Sequence, residues 1–245
     1  SSFNQNLSTW NVSKVTNMEQ MFADAYTFNG NISDWDVSNV TDMYAMFRSA
    51  RNFNQDLNDW DVSKVTNMEM MFGYTAGSFN GNISGWNVSS VTNMRRMFMN
   101  VDDIGAFNQD ISNWNVSNVT AMDAMFNGQI NFNQDISDWN VSKVTHMRSM
   151  FADASSFNQD ISDWEVSSVT NMDSMFRSAI NFNQDLSGWD VSNVTVFGGG
   201  NGKMFMGSNL SSGNQCYIHK TFSTNDAWPY DWSDCSAFIP KTKAE

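Results

Sequence analysis

The sequence is poor in positive charge and in histidine. Its 245 residues include 13 lysines and arginines against 26 aspartates and glutamates, for a formal net charge of −13. Binding to nucleic acid or to an anionic membrane surface needs a basic stripe, and the chain has none. Its two histidines, His146 and His219, take part in no Ser-His-Asp or Cys-His spacing. We therefore predict a protein that is not an enzyme and that binds no nucleic acid.

Long apolar runs are also missing, and cysteine is scarce. No segment approaches the roughly 18 apolar residues of a membrane-spanning helix, which predicts no direct membrane insertion. The two cysteines, Cys216 and Cys235, both lie near the end of the chain, and their spacing fits neither a CxxC redox motif nor a zinc site. One disulfide bond is the predicted state, and two buried thiols are the alternative.

Tryptophan, by contrast, recurs at a nearly fixed interval. The eight positions are Trp10, Trp35, Trp60, Trp86, Trp114, Trp139, Trp164 and Trp189. Such a period is typical of a solenoid, in which each repeat buries its apolar face only against its neighbours. Each repeat begins with Phe-Asn and closes with Met-Phe. We predict an eight-copy repeat region over residues 1–206 and a C-terminal cap over residues 207–245. Because Ser1 falls in mid-pattern, we expect the natural protein to continue upstream, so that the N-terminal end of the repeat region is incomplete.

Two apolar spacings occur within one repeat. Around Trp35 apolar and polar residues alternate, the pattern of a short strand. From Val40 to Ala50 the apolar residues lie three or four apart, which is typical of one helix face. The expected fold class is an α/β solenoid, a right-handed coil with a parallel sheet on one side and short helices on the other.

The string Asn-Gln-Asp-Ile-Ser-x-Trp-x-Val-Ser-x-Val-Thr-x-Met-x-x-Met-Phe returns, with small variations, over about four fifths of the chain. It resembles the BspA-like branch of the leucine-rich repeats, the roughly 25-residue repeats of bacterial surface proteins that are also common in protists and algae. The resemblance implies a leucine-rich-repeat-like horseshoe displayed outside the cell, often in adhesion. It implies no catalytic residue, and fold alone does not identify a ligand.

Two polar positions of the repeat are nearly uniform. The asparagine after the first Phe never varies, and we predict a buried structural ladder of amides, each bonded to the next coil: Asn4, Asn29, Asn54, Asn80, Asn108, Asn133, Asn158 and Asn183. Two residues later a second row contains five aspartates and three asparagines. No cofactor is predicted, and calcium on this row is the one candidate ion. Capping of turns by the side-chain oxygen is favoured, because asparagine keeps the acceptor without the charge.

Function is expected where the copies differ. The residues that flank each tryptophan predict two acidic groups on the outward strand face, formed by Asp34, Asp36, Asp59, Asp61, Asp138, Asp163 and Glu165. This ligand-binding surface would suit a cationic partner or a calcium-bridged polysaccharide, and a merely solvated face is the alternative. An insertion loop with Asp102 and Asp103, and a shorter insertion near residues 75–77, are further candidates for a binding edge.

These observations predict a non-enzymatic recognition or adhesion solenoid located outside the cell or at its surface. Its partner would be a protein or polysaccharide surface ligand. The alternative is a structural subunit of a surface coat, filament or large complex, whose partners are the other subunits. Among the many Asn-x-Ser/Thr sequons, Asn209 in the irregular tail is the candidate glycosylation site.

Overall fold

The computed structural model describes residues 2–75, 78–101 and 105–235. In this part of the chain each repeat forms one coil, and successive coils stack with equivalent residues side by side. We number the coils 1 to 8 by their tryptophans, from Trp10 to Trp189. Parallel β-bridges join one residue of each coil to its equivalent in the next, from Asn17↔Asp42 to Asn171↔Val196.

The expected sheet and helices are not found in the described residues. The bridges are isolated and form no strand, and the regular elements are a 3-10 helix at Gly200–Gly202 and one α-helix, α1, at Ser212–Phe222. The prediction of an α/β, leucine-rich-repeat-like solenoid with a parallel sheet and short helices was therefore wrong. No helix in the described ranges is long and apolar enough to cross a membrane.

Each coil is built instead from consecutive tight turns. Backbone hydrogen bonds of 2.8–3.2 Å close four of them in coil 2: Trp35 to Ile32, Val40 to Val37, Met46 to Met43, and Ala50 to Phe47, with the N–H of the later residue donating each time. Such turns bring the first and fourth residues close together. They therefore reproduce the apolar spacing of three and four that is also typical of a helix.

Left-handed residues keep the segment from becoming a helix. In coil 2, Ala45 and Ser49 have φ values of 50° and 58°, and most other coils have positive φ at the same positions. A non-glycine residue pays roughly 1–2 kcal/mol for this conformation. The conformation turns its N–H toward the next coil, since Ala45 N donates to Glu69 O and Ser49 N to Gly73 O, both at 2.8 Å. The strain is thus offset by bonds between coils.

Columns of aromatic rings form the core. The phenylalanine that closes one coil stacks on the one that opens the next, as with Phe47 and Phe53, whose ring centroids are 4.0 Å apart. Phe47 also stacks on Phe72 of coil 3 at 5.5 Å. Beside them Trp60 is buried, and its Nε1 donates to Ile32 O of the preceding coil at 3.0 Å. Burying each such side chain contributes roughly 1.5–3 kcal/mol, so the stack is stabilised chiefly by contacts between neighbouring coils.

The residues after the last coil cover its open face. The buried Phe222 of α1 packs edge-on against Trp228, with centroids 5.1 Å apart. Asn225 Nδ2 donates to the carbonyl oxygens of Val191 and Val194, at 2.8 Å each. These contacts attach the tail to the backbone of coil 8.

A second group of contacts fastens the tail. The predicted disulfide is confirmed: Cys216 and Cys235 are bonded, with their Cα atoms 5.5 Å apart. Burial raises the pKa of Tyr230 to about 12, so its hydroxyl stays protonated at neutral pH. The hydroxyl oxygen accepts the N–H of Phe205 at 2.6 Å. The disulfide therefore braces the tail internally, and polar bonds hold the tail to coil 8.

Candidate functional site

The uniform asparagines form a continuous column along the stack. In each one Oδ1 accepts the N–H of the equivalent residue in the next coil, over 2.7–3.0 Å. The members are Asn4, Asn29, Asn54, Asn80, Asn108, Asn133, Asn158 and Asn183, and the column ends where Ser211 N donates to Asn183. The prediction that the column is buried was wrong: Asn80 and Asn108 are half-buried and the others are exposed. The Oδ1 atoms of the column are therefore used in joining the coils, which is the structural role that the sequence predicted.

The mixed row of aspartate and asparagine closes a turn in every coil. Each side-chain oxygen accepts the backbone N–H two residues later over 2.9–3.0 Å, as Asp110 does from Ser112. The N–H of Ser112 holds the pKa of Asp110 below its ordinary value, while the charge of Asp135 in the next coil opposes this more weakly. The described residues hold no group of three or more His, Cys, Asp or Glu side chains suited to a metal ion.

The acidic residues that flank the tryptophans fall into two classes. Those that follow the tryptophan close turns: Asp36 Oδ1 accepts both the N–H and the O–H of Ser38, at 3.1 and 2.6 Å. Asp61 accepts the N–H of Ser63, and Glu165 that of Ser167. The hydroxyl bond from Ser38 is the main reason that the pKa of Asp36 lies below its usual value. Part of this predicted surface therefore serves the fold.

The acidic residues of the second class precede the tryptophan and close no turn. Asp34, Asp59, Asp138 and Asp163 are exposed, and none makes a hydrogen bond or ion pair within the part of the chain that the structure describes. Asp34 and Asp59 occupy the same position in neighbouring coils, as do Asp138 and Asp163. The intervening coils carry neutral residues there. The stack thus presents two separate pairs of carboxylates that are not used internally.

The remaining predicted residues lie elsewhere. Asp102 and Asp103 are outside the described residues, as is most of the shorter insertion, at 76–77. Asn209 is exposed, and its glycosylation stays a prediction.

Sequence reasoning missed a cluster of arginines on another part of the coils. Arg95, Arg96 and Arg148 line a cavity of about 160 Å³ shared by coils 4, 5 and 6, together with Asp123. The signal was present in the repeat itself. Coil 4 reads Met94-Arg-Arg-Met97 where the corresponding pair in coil 2 is Tyr44-Ala45, and in coil 5 is Asp123-Ala124.

Comparison with known proteins identifies the repeat. The family described as Mycoplasma protein of unknown function, DUF285, matches residues 1–105 and again residues 101–212. The chain belongs to the DUF285 family. The two matches together span the stacked coils and reach the first residue of α1, so membership agrees with the repeats seen in the structure. The family description names no activity, and none of the curated proteins compared with this DUF285 chain matches it.

Proposed function

We propose that this protein is a non-enzymatic recognition protein that acts outside the cell or at its surface, with an acidic surface formed by Asp34, Asp59, Asp138 and Asp163. One observation carries the proposal: these four side chains are exposed and have no partner in the described part of the chain, whereas the equivalent residues after each tryptophan close turns. A charged residue that the fold does not use is free to bind a partner.

Charge and rigidity support a cationic partner. The formal charge of −13 would attract a positively charged surface and speed its encounter. The backbone beneath each aspartate is fixed by the turn that Trp35 or its equivalent closes, at 3.1 Å in coil 2. A partner would therefore meet carboxylates at positions that the stack sets in advance, with little ordering cost on this side.

The proposal also includes a location outside the cell, which the disulfide and the resemblance of the repeat support. A disulfide persists in oxidising compartments, which is consistent with a protein outside the cell. The similarity of the repeat to BspA-like surface proteins points the same way, toward adhesion to a protein or polysaccharide. The alternative is a structural subunit that stacks end to end on other subunits. It is disfavoured because the tail covers the face of coil 8 on which a further coil would pack.

The test is binding of the purified protein to a panel of glycans, matrix proteins and a lysine-rich peptide, with calcium and then with chelator. Asp59→Lys should weaken binding of the hits by about three- to tenfold, chiefly through slower association. Asp226→Lys, at another exposed aspartate outside this surface, makes the same charge change and should leave binding nearly unchanged. Equal losses in the two variants, or a panel without hits, would refute the acidic surface. Hits that require calcium would show that an ion bridges the carboxylates to the ligand.

A further inference from the structure

The cavity lined by Arg95, Arg96 and Arg148 brings three positive charges together on an acidic molecule. It lies where coils 4, 5 and 6 meet, with Met99 and Ala124 in its wall. Three of its lining residues are arginines and one, Asp123, is acidic. Asp173 pairs with Arg148 beside the cavity, so three arginines and two aspartates leave an excess of one positive charge, while the chain as a whole carries −13.

The ion pairs of Arg95 and Arg148 leave the terminal N–H groups of both guanidinium groups unused. Arg95 and Arg148 approach Asp123 and Asp173 through Nε, at 3.1 Å in each case. An arginine paired through Nε keeps its terminal N–H groups for other acceptors. Elsewhere on the stack the pairing is different, because Arg48 and Arg177 use a terminal nitrogen to bind their aspartates.

Two further features show how the charges of Arg95 and Arg96 are compensated. The Nε of Arg95 is buried and, although it lies near Asp123, it has no aligned hydrogen-bond acceptor among the described residues. The side chain of Arg96 makes no hydrogen bond or ion pair in the described ranges, while its backbone N–H is fixed by a 2.8 Å bond to Asp123 O. The described residues therefore leave the charge of Arg96 without a counterion, and an added anion would supply one.

We infer that this cavity binds one oxyanion, a sulfate, phosphate or carboxylate group, held by the guanidinium groups of Arg95, Arg96 and Arg148. Arginine suits such planar or tetrahedral oxyanions because it donates two parallel hydrogen bonds. The volume of about 160 Å³ fits a single group with a few attached atoms. The site uses other residues than the acidic surface, so either proposal can fail alone.

The experiment is an NMR titration of amide shifts at constant ionic strength, with sodium sulfate, inorganic phosphate, glucuronate and, as the neutral control, glucose. We expect saturable shifts around the cavity for the anions and none for glucose. Arg96→Gln should weaken anion binding about tenfold, the loss of one charge-assisted hydrogen bond. Arg51→Gln is the matched control, since Arg51 is exposed, lies over the ring of Tyr26 and is remote from the cavity lining.

The outcomes separate cleanly. Linear, non-saturating shifts up to tens of millimolar, or the same weakening in Arg51→Gln as in Arg96→Gln, would overturn the inference. Saturation that is stronger for glucuronate than for sulfate and phosphate would assign the site to an acidic sugar, and the reverse order would assign it to the free inorganic anion. Thermal unfolding of both variants checks that each remains folded.

Discussion

The tryptophans of coils 1 and 8 occupy equivalent positions and have opposite surroundings. Trp10 is 54% exposed, whereas Trp189 is 1% exposed and its Nε1 donates to Ile161 O of the preceding coil at 3.0 Å. The sequence around both is nearly the same. What differs is the neighbour on which the indole packs, so the burial of any coil is a property of the pair of coils and not of the repeat alone.

The largest loss of stability is expected when an interior tryptophan ring is removed. Trp114 stacks between Trp86 and Trp139, with centroids 6.2 and 6.5 Å away, and its Nε1 bonds Ile83 O. We expect Trp114→Ala to lower the free energy of unfolding by about 3–5 kcal/mol through cavity formation. The same change at Trp10 should cost less than about 1 kcal/mol, because its ring is already half in solvent. Urea unfolding measures both, and equal losses would contradict the neighbour-based account.

The covered end can be weakened without touching a coil. We expect the Cys216→Ser and Cys235→Ser double variant to lose about 2–4 kcal/mol, since the bond closes a loop with a sequence separation of 19. The tail should then be cut by a protease before coils 1 to 7 are. If proteolysis instead began in the interior coils, the tail would not be the element that the disulfide secures.

The smallest expected effect is on the pH dependence of stability, which should differ between coils whose turns are closed by aspartate and coils whose turns are closed by asparagine. In coils 5 to 7 the turn-closing residues are Asp110, Asp135 and Asp160, whose pKa values are lowered chiefly by the backbone N–H two residues later. Their contribution to stability is complete above the ordinary pKa of 3.8 and is lost as the pH falls through the lower folded values.

Replacing these three aspartates with asparagine should therefore reduce the dependence of stability on pH in the acidic range, because asparagine keeps the acceptor and does not titrate. Coils 1, 2 and 4 already use Asn6, Asn31 and Asn82. Urea unfolding at several pH values measures the slope. An unchanged slope in the triple variant would show that other carboxylates cause the acid sensitivity.

The periodicity of the sequence predicted which residues are buried but not the backbone that buries them. Met43, Met46 and Phe47 are fully buried, as the spacing indicated. The spacing was assigned to a helix because nothing in Ala45 or Ser49 announces a left-handed conformation. Two of the equivalent positions are glycines, Gly128 and Gly207, and at Gly128 a Cβ would lie 2.0 Å from Asn100 O. Strain offset by bonds to the next coil leaves no mark in the composition of a single repeat.

The acidic surface was only partly predictable from the sequence. It named both Asp34 and Asp36 but did not separate the free carboxylate from the one that closes a turn. The distinguishing signal is a serine two residues later, which Asp36 has in Ser38 and Asp34 lacks. The arginine cavity could not be foreseen in the same way, because its members come from three coils whose relative placement depends on the stack.

The asparagine column also continues across changes in the length of the chain. Two of the three longer repeats gain their residues between the phenylalanine that closes a coil and the Phe-Asn that opens the next, from Phe72 to Phe79 and from Phe98 to Phe107, whereas coil 8 gains its residues internally, between Phe197 and Met204. Across both gaps the column is unbroken, with Asn80 N and Asn108 N still bonded to the preceding amides at 2.7 and 2.8 Å. Extra residues can therefore be inserted at this junction while equivalent residues of neighbouring coils stay aligned. Natural insertions and engineered ones can use the same position.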